Sequence, residues 1–564
     1  MESPPPALIK FQIGPVQDFI AAARSTRDLW SGSYLLSLLV AAGIRAIPNH
    51  QTALIFPNPK GQPLLKDTAM WQVEDPKSLL TPNLPNLFVA KIAADQAEVT
   101  AEMIKKAVEA EWEKIYQACF DVLKTQRILN ATDEDAFVAQ ASGHLSISYQ
   151  ITPFADGYQK TYQRNGWQLD AVRQTRNFQS SLSRRGERDS LTGTHSAFAG
   201  GAAFQKDMAE RRNPYSTLFK HSDQLGAITL IKRVWHLGYL GARPEFQAAI
   251  NSFNLRSTRA IAARDDSQDD AENTDGAQGE KYLATIAFDG DSIGKWMNGD
   301  DLTPGHDLHQ HHQDFSAALS DFALNKVREI IEKKCGKGLP IGFLIYAGGD
   351  DVVALVPADV ALTVAGELRA AFRKATAHIQ DKFGNSPDAS VGIAIAHFKS
   401  PLQDLIREGQ KAEKDAKRDQ GRAAFSITLL KRSGEISKWG GKWDHGPIAL
   451  YEAIFKAMEN GLSRKFPHRV CQLLEPYLTG SSKQTDVPNF PLHEVVEKEI
   501  AHAAIRQGSR EIAATLLVPL RGYLKNLPPD PKATLQAIIS LCTTLAFTLR
   551  NLPQPQATAE GQPA

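Results

Sequence analysis

The sequence predicts an α+β protein with two mixed regions, an irregular segment between them and a helical C-terminal part. Three observations indicate this architecture. Strand-like runs alternate with helix-length segments up to about residue 185, the alternation returns more regularly after residue 281, and amphipathic helices dominate from about residue 447. A chain of 564 residues also corresponds to several domains of ordinary size.

The first region contains four strand-like runs and one long helical segment. The helix is predicted over residues 99–123. The runs cover residues 8–13, 53–56, 87–92 and 145–151. This mixture predicts a first α+β domain over residues 1–185. Residues 186–264 are irregular and then helical.

The second region has a clearer order of elements. Strands are predicted over residues 283–288, 341–347, 352–357, 390–397 and 424–430, and helices over residues 308–333 and 358–382 and after Pro401. The order βαββαβ, with a helix and a strand added, is that of a ferredoxin-like palm domain. We therefore predict a palm domain over residues 281–445.

Two segments carry few core-forming residues. Residues 265–280 contain seven acids and no base, which predicts a flexible linker, and residues 553–564 predict a disordered tail. Between the palm domain and this tail, residues 446–552 predict a helical bundle with loops at 480–487 and 528–531.

Composition excludes several classes of protein. The 64 Lys and Arg residues balance 63 Asp and Glu residues, so the chain lacks the global basic field that drives non-specific binding of DNA. Four cysteines without any CxxC pair exclude a disulfide framework. The longest apolar stretch, residues 34–44, is too short to cross a membrane. We expect a cytoplasmic protein with no membrane partner.

Two acidic motifs carry the predicted chemistry: DGDSIG at residues 289–294 and GGDD at residues 348–351. In a palm sheet the first strand lies beside the hairpin, so Asp289, Asp350 and Asp351 should converge. Clustered carboxylates repel one another unless a cation neutralises them, and oxygen ligands suit Mg²⁺ or Mn²⁺. Two such ions would clamp both oxygens of a phosphoryl transfer. The alternative is that Gly-Gly-Asp is only a turn. We predict that the three aspartates bind metal and are catalytic.

Neighbouring residues predict a nucleotide pocket. Gly348 and Gly349 give a tight turn without blocking side chains, and the backbone from Gly290 to Gly294, including Asp291, Ser292 and Ile293, would hold a triphosphate. The segment AEKDAKRDQGRAAF at residues 412–425 resembles the AK-xx-GR element by which GGDEF-class cyclases present a lysine to phosphate. Lys417 is the candidate for that contact, supported by Arg418 and Arg422. Alternatively, these cations only stabilise a helix C-terminus.

Five segments together resemble one family. They are KFQIGPVQDFIAAARSTRDLWSGSYLLS (10–37), LPNLFVA (84–90), FDGDSIGKWMNG (288–299), YAGGDDVVALVP (346–357) and LLKRSGE (429–435). They resemble the large polymerase/cyclase-like subunit of type III-B, or Cmr-type, CRISPR effector complexes. The resemblance spans residue 10 to at least residue 443.

This resemblance implies two palm domains face to face, a helical C-terminal domain and a guide-RNA ribonucleoprotein with a role in antiviral defence. The implied partners are guide RNA, target RNA, a subunit that binds the guide 5′ handle, a small helical subunit and backbone subunits. The implied reaction converts ATP into cyclic oligoadenylates when target RNA pairs with the guide. The family's metal-binding carboxylates fall on Asp289, Asp350 and Asp351.

The chain departs from this family in two places. Many relatives carry an HD nuclease domain before the first palm, but here the IGPVQ motif begins at Ile13, so we expect no DNase activity. The only His-Asp pair, His306-Asp307, lies in GHDLHQHH, which we interpret as a solvated loop and helix start. Relatives also have a zinc ribbon with two CxxC pairs. The corresponding residues here are Asp189, Thr192, Gly226 and Thr229, so the ribbon is degenerate and we expect no zinc.

Two basic groups remain open to interpretation. Arg24, Arg27 and Trp30 either help to hold the acceptor ATP, touch RNA, or belong to a helix whose aromatic residues pack a core. A strip of arginines is either a phosphate-contacting surface or solvated surface. Its members are Arg173, Arg176, Arg184, Arg185 and Arg188.

We therefore predict a nucleotidyltransferase that makes cyclic oligoadenylates. The alternative is a catalytically silent scaffold that anchors guide RNA and partner subunits. A free-standing dinucleotide cyclase that uses GTP is disfavoured because the GGDEF signature is absent.

Overall fold

The structure, a computed structural model, has a mixed α/β architecture. It describes residues 5–175, 186–200, 210, 215, 218–219, 223–253, 255–265, 281–303, 305–335, 338–479 and 491–549. The predicted linker after Asp265, the predicted loop at 480–487 and the predicted tail lie outside these residues. None of the helices in the described ranges is both long enough and apolar enough to span a bilayer.

The first sheet has four antiparallel strands in the order β2-β3-β1-β4, which is the ferredoxin-like βαββαβ order. Its strands are β1 (Pro6–Gly14), β2 (Leu54–Phe56), β3 (Leu87–Ala93) and β4 (Ser146–Pro153). The helices of this part are α1 (Gln17–Ala21), α2 (Thr26–Arg45), α3 (His50–Ala53), α4 (Pro76–Leu79), α5 (Ala97–Thr125), α6 (Glu134–Ser142) and α7 (Tyr158–Gln174). All four predicted strands and the long helix are present.

The segment that follows contains two short strands and then helices, and its second half is helical as predicted. It contains β5 (Ala199–Gly200), β6 (Gln224–Leu225), α8 (Ala227–Trp235), α9 (Pro244–Ser252) and α10 (Thr258–Ala263). Helix α8 packs against α5 and α2, so this segment extends the core of the first sheet.

The second sheet has six strands in the order β10-β11-β7-β12-β13-β14. Neighbouring strands are antiparallel except β12 and β13, which are parallel. Its strands are β7 (Tyr282–Gly290), β10 (Phe343–Ala347), β11 (Asp351–Pro357), β12 (Ala389–His397), β13 (Ala424–Leu430) and β14 (Ile436–Lys442), and a separate pair is β8 (Lys334–Cys335) with β9 (Leu339–Pro340). Its helices are α11 (Ile293–Asn298), α12 (Leu308–Asp321), α13 (Arg328–Ile331), α14 (Ala361–Ala375) and α15 (Leu402–Arg418).

Two predictions in this sheet need correction. Strand β14 was not predicted, because it is a half-exposed edge strand containing Gly440 and Gly441 and has no apolar alternation. The helix predicted over 358–382 ends at Ala375. The carboxylate of Asp381 accepts hydrogen bonds from the amides of Phe383 and Asn385, both at 2.8 Å, and this local bonding replaces helix.

The C-terminal part is helical, as predicted. Its helices are α16 (Pro447–Glu459), α17 (Phe466–Thr479), α18 (Leu492–Gln507), α19 (Arg510–Lys525) and α20 (Pro531–Thr548). Helix α20 packs on β14 and shares a hydrophobic core with the second sheet. The two sheets are also joined: Ile9 lies in the core of the first sheet, whereas Leu8, on the other face of β1, lies in that of the second.

Candidate active site

The three predicted aspartates lie together at one end of the second sheet. Asp289, the penultimate residue of β7, is directly opposite Asp351, the first residue of β11. Asp350 precedes it in the hairpin turn, and its carbonyl accepts a hydrogen bond from the amide of Gly290 at 3.1 Å. Asp289 and Asp351, 62 positions apart in the chain, are therefore neighbours across two strands.

Glycine shapes the hairpin turn. The amide of Gly348 donates to the carbonyl of Asp351 at 2.9 Å, and Gly349 adopts φ +95°, which side chains rarely tolerate. A Cβ at Gly348 would overlap the phenol oxygen of Tyr346. Tyr346 therefore lies directly under the turn, beside the two aspartates.

The site is an acidic cluster with one ammonium. Burial, followed by the Asp289 carboxylate, raises the pKa of Asp350 to about 7. Burial and the carboxylates of Asp289, Asp350 and Glu413 raise the pKa of Asp351 well above its usual value. The Lys417 ammonium contacts the Asp289 carboxylate and lies 2.7 Å from that of Glu413. Although burial alone would lower it, these two carboxylates raise the pKa of Lys417.

Close packing of α15 on the sheet brings Lys417 to this position. A Cβ at Gly392 on β12 would overlap the backbone of Glu413 and Gly409 in α15. A Cβ at Gly409 would lie 2.9 Å from the Thr285 side chain on β7. Only glycine at these two positions lets the helix lie this close, so the two glycines set the height of Glu413 and Lys417 above the strands.

The first part of the loop after Asp289 is held by hydrogen bonds of Asp291 to other strands and loops. The amide of Asp291 donates to the carbonyl of Asp388 at 2.8 Å. The buried Asp291 carboxylate accepts from the Ser390 hydroxyl at 2.8 Å and from the Ala423 amide at 2.7 Å. Asp291 therefore holds the loop in place through internal bonds.

The second part of the loop leads into α11 and presents backbone amides. Among the described residues, no group accepts a hydrogen bond from the amides of Ser292, Ile293 or Gly294. The sequence predicted that five amides, from Gly290 to Gly294, could bind a phosphate group. Those of Gly290 and Asp291 are used in internal hydrogen bonds, and the other three are available.

The two supporting arginines lie at the edge of the site. Arg418 is paired with Asp415 and Asp419, and its side chain is 72% exposed. Arg422 lies 3.9 Å from the Asp291 carboxylate, in a turn where Arg422 and Ala423 have positive φ values of 66° and 43°. Backbone strain of this kind persists only when surrounding contacts impose it. Here the bond from Ala423 to Asp291 does so.

The donor chemistry of the cluster fits a divalent cation. Partly buried carboxylates with raised pKa values gain most when a cation neutralises them. Within the described ranges, however, no three His, Cys, Asp or Glu side chains are gathered closely enough to hold one ion. Cation binding would have to draw the Asp289 carboxylate away from Lys417.

Sequence reasoning missed three members of this cluster. Glu413 lies four residues before Lys417, a helical spacing that places both side chains on one face. Ser390 is the strand partner of Asp289 on the side opposite β11, which only the sheet order reveals. Tyr346 carried no signal beyond its place before Gly348.

The aromatic part of the N-terminal motif is structural. Trp30 is 1% exposed, donates from Nε1 to the carbonyl of Leu80 at 3.0 Å and stacks on Tyr34 and Trp235. Arg24 forms an ion pair of 2.6 Å with the buried Asp223. Contact of this motif with ATP or RNA stays a prediction. Of the arginine strip, Arg173 and Arg188 are exposed, whereas Arg176, Arg184 and Arg185 lie outside the described residues.

The interpretation of GHDLHQHH as solvated is wrong for two of its histidines. His311 and His312 are 3% and 0% exposed, and both bond to backbone carbonyls of the preceding helix, α11. The segment begins helix α12, as predicted. Its last two residues form the buried face of that helix, since His311 and His312 precede the core residue Phe315 by one turn.

The residues at the positions of the zinc ribbon are joined by one carboxylate. Asp189, 3% exposed, accepts from the amides of Leu191 and Thr192 at 2.9 and 2.8 Å with one oxygen. With the other it accepts from the Gly226 amide at 2.7 Å and the Thr229 hydroxyl at 2.6 Å. Hydrogen bonds thus connect the two segments in this structure.

Comparison with known proteins identifies the family. The chain matches the model of the Cas10/Cmr2 second palm domain over residues 282–426 and that of the N-terminal region of the CRISPR-associated protein Cmr2 over residues 8–117. A curated relative, the CRISPR system Cmr subunit Cmr2 of Pyrococcus furiosus, is 24% identical over an alignment of 662 positions, covering 93% of this chain and 72% of that protein.

Two solved structures share the fold. A type III-B Cmr-beta complex in its apo state contains a chain that matches with a TM-score of 0.64 and 12% identity, covering 90% of this chain and 78% of the other. The same type of complex bound to cognate target RNA matches with a TM-score of 0.61 and 12% identity, covering 90% and 79%. Because both family regions occur in this chain and a curated Cmr2 aligns along nearly all of it, the chain belongs to the Cas10/Cmr2 family and is a Cmr-type large subunit of a type III CRISPR effector.

Proposed function

We propose that this subunit converts ATP into cyclic oligoadenylates when the effector complex binds target RNA, by nucleotidyl transfer at Asp289, Asp350 and Asp351. The observation that carries the proposal is the convergence of these carboxylates beside the amides of Ser292, Ile293 and Gly294, from which no described residue accepts a hydrogen bond. The raised pKa values of Asp350 and Asp351, and the pairing of Asp289 with the Lys417 ammonium, support a site built for cations and phosphate.

Each group has a role in this proposal. Asp289, Asp350 and Asp351 would hold Mg²⁺ or Mn²⁺, which when bound would polarise the α-phosphate and lower the pKa of the attacking 3′-hydroxyl. The amides of Ser292, Ile293 and Gly294 donate hydrogen bonds to a triphosphate oxygen. Lys417, released from Asp289, neutralises charge on the departing pyrophosphate.

The substrate's position follows from the same contacts. Gly348 and Gly349 place no side chain between the hairpin turn and a nucleotide bound beside the aspartates. Arg422, at the rim, supplies a further positive charge for phosphate. Holding two nucleotides in line supplies much of the rate enhancement in such a transfer.

The test is a comparison of assembled complexes incubated with labelled ATP, Mn²⁺ and cognate target RNA. We expect cyclic oligoadenylates from the unmodified complex and a loss of at least about 100-fold with Asp350→Asn/Asp351→Asn. The control Asp121→Asn/Asp135→Asn makes the same chemical change at two exposed sites on α5 and α6 and should retain activity. Product formation by the Asp350→Asn/Asp351→Asn complex would refute the site.

One observation favours the second candidate, a silent scaffold that anchors guide RNA and partner subunits. Lys417 already neutralises Asp289, as an internal cation would in a site that no longer binds metal. Isothermal titration with Mn²⁺ separates the two. Binding that is lost in Asp350→Asn/Asp351→Asn supports the enzyme, and equal heats from both proteins support the scaffold.

A further inference from the structure

Helix α11, which begins four residues after Asp289, is held at its C-terminal end by side chains from two other helices. The last carbonyls of any helix lack partners within the helix. Here the carbonyl of Trp296 accepts from His311 Nε2 at 3.1 Å and that of Met297 from His312 Nε2 at 2.5 Å. The carbonyl of Asn298 accepts from Nε2 of Gln163 at 3.2 Å and of Gln159 at 3.5 Å.

The two glutamines come from α7, which packs on strands β4 and β1 of the first sheet. His312 also belongs to this connection. Its Nδ1 lies 2.7 Å from the hydroxyl of Tyr158, the first residue of α7. Since a carbonyl only accepts, Nε2 must carry the proton, and Nδ1 accepts from the Tyr158 hydroxyl. The ring is thus fixed at both nitrogens, between the first sheet's helix and the loop helix.

The end of α11 leaves little room for another arrangement. Gly299 ends the helix with φ +74°, and a Cβ there would lie 2.9 Å from the Leu308 side chain and 3.3 Å from Gln159 Nε2. The helix has only six residues, so a shift at its C-terminus moves its N-terminus as well. That N-terminus carries the free amides and continues directly from Asp289.

We propose that Gln159, Gln163 and His312 form a clamp that positions the Asp289–Gly294 loop relative to the first sheet, so that turnover depends on how the two sheets are docked. We call these three residues the α11 clamp. The proposal rests on the proposed function, because the loop is the part of the nucleotidyl-transfer site that it positions. None of the three residues touches the aspartates, so they are positioning residues.

The test uses Gln159→Ala/Gln163→Ala in the assembled complex, which removes both donors to Asn298 and leaves the aspartates in place. We expect kcat for oligoadenylate synthesis to fall about 10- to 100-fold, with a smaller change in the KM for ATP. Amide hydrogen exchange of residues 290–298 should become faster, whereas that of β12 should not change. The control Gln174→Ala makes the same change at an exposed position of α7 and should have neither effect.

Two further variants separate positioning from simple unfolding. Gln159→Ala/Gln163→Lys keeps a donor for the Asn298 carbonyl, and a cation is favourable at a helix C-terminus, so kcat should recover at least half of the loss. Tyr158→Phe removes the bond to His312 Nδ1 while preserving the ring, and exchange of 290–298 should again increase.

The outcomes distinguish this proposal from the proposed function. Normal turnover and unchanged exchange in Gln159→Ala/Gln163→Ala, while Asp350→Asn/Asp351→Asn is inactive, would overturn the clamp and leave the function. Faster exchange in the variants of a complex that makes no oligoadenylate would support the clamp and refute the function. Equal losses in the Ala/Ala and Ala/Lys variants would also overturn the clamp.

Discussion

At the scale of single residues, Lys417 is the cation on which the acidic cluster depends. Its ammonium contacts Asp289 and Glu413, and among the described residues no other ammonium or guanidinium is paired with either. Lys417 and Asp289 are 21% and 34% exposed, so solvent screens the pair only in part. Whichever cation replaces Lys417 must offset the same repulsion.

We therefore expect Lys417→Met to destabilise the metal-free protein by roughly 1–2 kcal/mol, because the carboxylates of Asp289 and Glu413 lose their ion-pair partner. Mn²⁺ should remove most of this deficit, and the KM for ATP should rise about 10-fold. Thermal unfolding in EDTA and in Mn²⁺ measures the first effect, and steady-state kinetics the second.

The matched control for this variant is Arg418→Met, the next residue of the same helix, whose guanidinium is 72% exposed. It should melt as the unmodified protein does in both solutions. If Lys417→Met and Arg418→Met behaved alike in EDTA, Lys417 would not be the counter-charge of the cluster.

The prediction of the site from sequence succeeded where it used topology and failed where it needed packing. Asp289, Asp350 and Asp351 were predicted to lie together because, in a palm sheet, the end of the first strand lies beside the turn of the hairpin. Glu413 was missed because its position depends on how closely α15 approaches the sheet. Ser390 was missed because its position depends on which strand pairs with β7 in the sheet. The roles of all these residues in catalysis stay predictions.

At the scale of elements, the segments around Asp189 and Gly226 are joined by a buried carboxylate. Its four hydrogen bonds come from three backbone amides and one hydroxyl. A buried carboxylate is stable only when such donors surround it. This explains how the predicted degenerate ribbon connects its two segments without thiolates.

We predict that Asp189→Ala lowers stability by about 3 kcal/mol, because it leaves these buried donors without an acceptor. Urea unfolding measures the loss, and hydrogen exchange should locate it in residues 186–200 and 223–235. Asp170→Ala, which removes an exposed carboxylate paired with Arg173, should cost less than about 1 kcal/mol.

A chelator tests the expected absence of zinc. If hydrogen bonds connect the segments without a metal, a chelator should leave the melting temperature of the unmodified protein unchanged. A chelator that destabilised it as much as Asp189→Ala does would reveal a metal at this position.

At the scale of the whole molecule, burial favours the neutral form of several histidines in the described part of the chain. Burial lowers the pKa of His144 to about 4, that of His236 to about 3 and that of His312 to about 4. In the unfolded chain these groups titrate near their ordinary value of about 6.5. Below that pH the unfolded state binds more protons, so stability decreases as pH falls.

We therefore expect the stabilising contribution of these histidines to be complete above about pH 6.5 and to be lost progressively down to about pH 4. Melting temperatures measured from pH 7 to pH 4.5 should show the decrease. His236→Gln should make the melting temperature depend less steeply on pH. His378→Gln, at an exposed position, should leave this dependence unchanged. An equal slope in both variants would contradict the assignment of His236.

The sequence by itself determined the order of strands and helices, the family and the position of the aspartates, because apolar period, turn glycines and motif spacing are local properties of a chain. Only the tertiary structure decided which groups surround those aspartates. Glu413 and Lys417 reach the aspartates through the packing of α15, where Gly392 and Gly409 set the distance between backbones, and the α11 clamp holds the neighbouring loop without touching the aspartates. Such distances depend on surfaces that meet across hundreds of residues, and no local pattern records them.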